Sequence, residues 1–151
     1  MAFVLILMLS LFVSGTIVSA SQKALPGDNL YSVKRTLEEL ALATSLDQAS
    51  DAELHIQYAK ERLAEFRALI FEGRYDDVPE AQKNYEEQLV KAIQVIEVVS
   101  TQDASQARQL AMELEAILAD HRLILAALSI NAPGSISAAI SDVMAAAEVA
   151  G

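Results

Sequence analysis

The sequence predicts an all-α protein: an N-terminal membrane helix, then an antiparallel bundle of about four helices, plus a weak C-terminal helix. Three observations carry this. The first charged side chain is Lys23, so the chain opens on an uncharged and largely apolar run. Beyond it, apolar residues recur in steps of three and four, the period of an amphipathic helix. No alternation of polar and apolar residues marks a strand. The implied organisation is a transmembrane anchor or signal peptide over 1–20, an acidic helical domain over 24–131, and an alanine-rich helix over 135–150.

The apolar run predicts contact with a membrane. Between Ala2 and Val18 eleven residues are Leu, Ile, Val or Phe. Each favours mid-bilayer by roughly 0.3–0.6 kcal/mol, which sums to several kcal/mol before polar penalties. As a helix, residues 2–20 would extend about 28 Å, close to the thickness of a hydrocarbon core. Two readings stand. Val18, Ser19 and Ala20 have the small-residue pattern of a signal-peptidase site, with cleavage after Ala20. The segment is equally long enough to remain as an anchor, the reading we carry forward. The usual basic flank before such a run is missing, as expected if the upstream sequence is cut off or the start misplaced. A literal positive-inside count of Lys23, Lys34 and Arg35 places the bundle in the cytoplasm. With no upstream flank to weigh against it, that count is set aside in favour of an extracytoplasmic bundle.

Leu25-Pro26-Gly27-Asp28 predicts a turn that leads into a helix. Pro26 presets φ, Gly27 permits φ > 0, and Asp28 is suited to capping exposed N–H groups. A first helix is expected over 29–44, with Leu30, Val33, Leu37, Leu40 and Ala41 buried. Asp47, Ser50 or Asp51 would cap the second, which carries Ala52, Ile56, Ala59, Leu63, Phe66 and Ile70 on one face and stops at Gly73. Asp76, Asp77 and Pro79 open a third helix, whose stripe is Ala81, Tyr85, Leu89, Ala92, Ile96 and Val99. Asp103 caps a fourth, striped by Ala107, Leu110, Leu114, Ile117, His121, Ile124 and Leu128. The segment from Asn131 to Gly134 ends it. Ile136, Ile140, Val143 and Ala147 mark a fifth, too short and too polar at Asp142 for a second membrane span. Flanking apolar residues (Leu54 and Leu69, Val90 and Ile93, Leu118 and Leu125) widen these faces, which suits a globular bundle, and the short connections favour antiparallel neighbours.

Charge narrows the partners. The 151 residues include 21 acidic and 11 basic side chains, a net charge of −10, all of it from Lys23 onward. Such a surface repels phosphate, so no nucleic-acid partner is expected. The chain has no cysteine, which excludes disulfides, thiol nucleophiles and thiolate metal sites.

One stretch carries a likeness. A-L-P-G-D-N-L-Y-S-V-K-R-T-L-E-E-L-A-L-A-T, followed by A-E-L-H-I-Q-Y-A-K-E-R-L-A-E, resembles a bacterial family of helical domains of unknown function. The opening motif, Leu25-Pro26-Gly27-Asp28 with Leu30, Tyr31, Lys34 and Arg35, is its most specific part. The resemblance covers roughly residues 24–72. It implies a helical fold and an extracytoplasmic position just after a signal or transmembrane helix. Some such domains look like the outer parts of anti-sigma factors. It implies no catalytic residue.

Candidate sites are few. Tyr31, Lys34 and Arg35 read either as a docking patch beside the membrane or as a tyrosine packed at the bundle end with a basic pair reaching carboxylates. Glu38, Arg62 and Glu65 suit ion pairs between the first two helices. As a catalytic carboxylate pair they lack a supporting nucleophile or base. His121 interrupts an apolar seam, where one hydrogen bond accounts for it more simply than a metal or pH-sensing role. Neither it nor His55 has the Glu-x-x-His spacing of helical di-metal sites. No metalloprotease, nucleophile-elbow, P-loop or dinucleotide motif appears. The sequence therefore predicts no catalytic, cofactor or metal site. It predicts a non-enzymatic, membrane-tethered binding or regulatory module, joined to the membrane through 1–20 and facing an unidentified protein or envelope partner. The alternative is a cleaved periplasmic or secreted structural or chaperone-like protein.

Overall fold

A computed structural model describes residues 19–150. The expected membrane segment, 1–20, falls almost wholly outside the described residues. Among the described residues every regular element is helical, and no helix is long and apolar enough to cross a membrane. Packing divides the chain into two compact units, one ending at Ala43 and one beginning at Thr44.

In the first unit the opening motif forms a type II turn. Gly27 sits at φ 87°, the left-handed conformation that glycine adopts without steric cost. The Asp28 N–H donates to the Leu25 carbonyl at 3.0 Å. The Leu25 N–H returns a bond to Asp28 Oδ2 at 2.8 Å. This carboxylate thus closes the turn that precedes the helix. Helix α1 follows over Tyr31–Ala43.

The buried face of α1 corrects the sequence pattern. Tyr31, Lys34 and Glu38 are its buried residues, whereas Leu40 is 57% exposed and Val33, Leu37 and Ala41 are half-buried. Tyrosine and lysine carry long apolar bodies behind a polar tip, so a face built from them can be covered once the tips find partners. A reading that turns every aliphatic residue inward misses that face.

The second unit is the bundle. Helix α2 spans Gln48–Glu72, α3 Val78–Gln102, α4 Ala104–Asn131 and α5 Ser137–Val149. Asp47, in extended backbone, caps α2 by accepting the Ser50 N–H at 2.8 Å. That bond holds its carboxyl below the ordinary aspartate value. Ser45 Oγ donates to Asp51 in the first turn. Gly73, at φ 71°, ends α2, with Arg74 N–H returning to the Leu69 carbonyl at 2.9 Å. A 3₁₀ turn over Tyr75–Asp77 leads into α3, with Pro79 in its first turn. Arg74 clamps this corner through Nε and Nη2 to Asp77 Oδ2, at 3.0 and 2.9 Å.

A single residue, Asp103, separates α3 from α4 and serves both. Its N–H donates to the Val99 carbonyl at 2.8 Å, and its side chain accepts from Ser105 N–H and Gln106 N–H at 2.9 and 3.0 Å. Connections this short run neighbours antiparallel, so α2 and α4 point the same way. Helix α2 packs most extensively on α3, and α5 packs on α3 and α4. Ile56, Phe66, Leu69, Tyr85, Leu118 and Leu125 are among the fully buried side chains of this core. The α2 and α4 stripes are buried as their spacing predicts except at Ile70 and Ile124, which are half-buried, while the flanking Leu69, Leu118 and Leu125 are fully buried beside them. The α5 stripe of Ile136, Ile140, Val143 and Ala147 is buried as its spacing predicts.

Candidate functional site: a groove between the second and fourth helices

Helix α3 supplies polar partners on both of its sides. Tyr85 and His121 share a buried hydrogen bond, 2.9 Å from the hydroxyl to Nδ1, with the rings 5.6 Å apart. Three residues further along α3, Gln88 Oε1 accepts from His55 Nδ1 at 2.8 Å, also in the core. An amide oxygen only accepts, so the proton lies on His55 Nδ1. The two histidines expected on separate helices thus take separate partners. Burial pushes His121 down to about 4 from its ordinary 6.5; Asp120 opposes that shift and Lys60 adds to it. Burial also raises the Tyr85 hydroxyl above its ordinary value, with Arg122 acting the other way. Both groups are therefore neutral across the physiological range. Among the described residues no cluster of three His, Asp or Glu is placed to hold a metal ion.

His121 also reaches a surface. A groove of about 470 Å³ opens between the C-terminal halves of α2 and α4. Its α2 wall is built from Lys60, Leu63, Ala64, Arg67, Ala68 and Phe71, a ridge at helical spacing. Its α4 wall comprises Ile117, Asp120, His121 and Ile124. The groove continues past Arg67 and Phe71 into a second hollow of about 320 Å³, bounded by Leu123, Ile124, Ala127 and Leu128. Phe71 and Leu123 stand as lips, 69% and 71% exposed. The Arg67 guanidinium lies 5.2 Å from the Phe71 ring centroid, a cation–π contact that orients both. Large apolar residues grouped at the rim of a groove are the kind of surface that marks a contact site.

The sequence-predicted site residues fall elsewhere. Pro26, Tyr31 and Lys34 are buried, Leu25, Leu30 and Arg35 half-buried, and Gly27 and Asp28 exposed in the turn. With Tyr31 and Lys34 covered, neither offers its side chain to an open docking patch. Arg35 Nη1 pairs with Glu38 at 2.9 Å within α1. Within α2, the fully buried Arg62 pairs with Glu65 at 3.2 Å and with the half-exposed Glu61 at 3.7 Å. These pairs hold buried charge and do not line the groove. Sequence reasoning missed Lys60, Arg67, Phe71, Asp120 and Leu123. The available signal was Phe71 and Leu123 themselves, large apolar residues lying off their helices' stripes.

Fold and site together define a small all-helical bundle domain with an open apolar groove between α2 and α4. The chain belongs to a family described as a domain of unknown function, DUF5667, whose model matches residues 23–121. The match starts just before the opening motif and runs through α3 to His121, beyond the stretch that carried the resemblance. No curated protein and no solved structure matches the chain.

Proposed function

We propose that the chain is a non-enzymatic, membrane-tethered extracytoplasmic module that binds a partner in the α2/α4 groove. Its role would be that of a sensor or of the outer part of an anti-sigma-like regulator. The groove is the observation that carries this reading. It has an apolar floor, two exposed apolar lips, and cations within reach of a ligand. Helices presenting such a surface take up an apolar partner face and release water from both. The tether is supported by the uncharged run before Lys23.

Hydroxyl-radical footprinting tests the binding. Oxidation of Phe71 and Leu123 is compared between the purified chain and the chain in native membranes, with exposed Met112 on α4 as the internal reference. Protection of Phe71 and Leu123 with Met112 unchanged is the expected result. Unchanged oxidation at all three would remove the groove as a binding site. Fractionation with external protease tests the tether: the bundle is expected in the membrane fraction and open to protease from outside the cell membrane. A mature N-terminus at Ser21 would instead support the cleaved alternative.

A further inference from the structure

Lys60 and Arg67 stand on one wall of the groove, two helical turns apart, about 10 Å along α2. Both are exposed, and neither has an ion-pair partner among the described residues. One carboxylate, Asp120, faces them from the opposite wall. On a chain of net charge −10 the groove therefore presents a locally cationic wall over an apolar floor.

The wall's shape restricts what fits. From Lys60 to Phe71 it runs about 16 Å, three turns of helix. Ala64 and Ala68, one turn apart, leave a shallow trough between the longer side chains, and Ala127 does the same across the groove. Ridges at this spacing accept the side-chain row of another helix. An acyl chain brings one head group to one end, whereas these two cations are spread along the length. Packed symmetrically, groove on groove, a second copy would bring the same cationic wall, so like would face like.

We propose that the occupant is an amphipathic helix of a partner protein. Its apolar stripe lies along Ala64 and Ala68 between Phe71 and Leu123, and two of its carboxylates, two turns apart, meet Lys60 and Arg67. This rests on the groove being the binding site and adds the chemistry of what enters it. Charge complementarity of this kind sets orientation and excludes basic helices.

The test uses the full chain in phosphatidylcholine nanodiscs and a fluorescent synthetic helix of about 14 residues, with leucines at helical spacing and glutamates two turns apart. Fluorescence anisotropy is expected to report saturable binding. A matched peptide with lysines in place of the glutamates should bind at least about ten-fold more weakly. The Lys60→Glu/Arg67→Glu variant, changed only at exposed positions, should keep its helical circular dichroism and reverse that preference. Equal affinity for the two peptides, or binding of neither, would overturn the proposal. So would laurate binding in place of the peptides, or a concentration-dependent dimer that occludes the site. Protection of Phe71 and Leu123 in membranes combined with failure of the glutamate peptide would reject this occupant and leave the binding site standing.

Discussion

Tyr85 on α3 and His121 on α4 meet inside the bundle, hydroxyl to Nδ1 at 2.9 Å, the tyrosine fully buried and the histidine 4% exposed. The bond satisfies two polar groups that would otherwise be costly in an apolar core, and it fixes the imidazole that forms part of the groove wall. Removing the hydroxyl leaves the ring nitrogen buried without this partner. Tyr85→Phe is expected to destabilise the chain by about 1–3 kcal/mol in urea unfolding. An unchanged midpoint would mean that water replaces the hydroxyl.

The depressed His121 value makes stability depend on pH. Folded, His121 stays neutral down to about 4, whereas unfolded it takes up a proton near 6.5. Its contribution is therefore fully present above about 6.5 and is lost as pH falls from there toward 4. The loss is on the order of 3 kcal/mol at most, from the size of the shift. Unfolding free energies of the chain and of His121→Gln, measured from pH 8 to pH 4, should converge as pH falls. Parallel curves would show that the imidazole titrates normally when folded.

Asp103 ends one long helix and begins the next. Asp103→Ala removes the acceptor for two N–H groups and is expected to cost about 1 kcal/mol, within the 0.5–2 range of helix caps. Asp103→Asn keeps the oxygen and should recover most of it. Thermal unfolding followed by circular dichroism distinguishes the two variants.

Arg62 is fully buried beside Glu65 at 3.2 Å. Breaking a buried pair from one side strips the remaining charge of that ion-pair contact, so Arg62→Met should cost about 3–5 kcal/mol. The double variant Arg62→Met/Glu65→Leu should cost less than the sum of the two single changes. A double-mutant cycle in urea reads the coupling directly, and strict additivity would mean that the two side chains do not interact.

Much of the fold was legible from local chemistry. Gly27 and Gly73 need positive φ, Asp47 and Asp103 cap helices, Pro79 starts one, and the α5 stripe is buried as spaced. These signals act within a few residues, so one chain suffices to read them. The face of α1 was not legible, because burial of Tyr31, Lys34 and Glu38 depends on what meets their polar tips and not on the row of leucines. On α2 and α4 the stripes were legible except at Ile70 and Ile124, which are only half-buried. Over a long helix the facing residues drift around the axis, and only the neighbouring helices fix the phase. The groove was hidden for a third reason. Lys60, Arg67 and Phe71 are separated from Asp120 and Leu123 by the whole of α3, and nothing in either helix alone announces that they share a surface. Tyr85 and His121 were each placed on a stripe by their spacing, but their pairing belongs to the packing of α3 against α4.

The groove as a binding surface is the central claim, and site-specific photo-crosslinking tests it most directly. A photoreactive phenylalanine analogue is placed at Phe71 on the groove lip, or at Met112, exposed on α4 and outside the groove, and the intact chain is irradiated in native membranes. The expected result is a discrete adduct from position 71 alone, lost when Lys60→Glu/Arg67→Glu is combined with it. No adduct from position 71, or equal yields from both positions, would contradict the assignment of this groove as the site where the protein meets its partner.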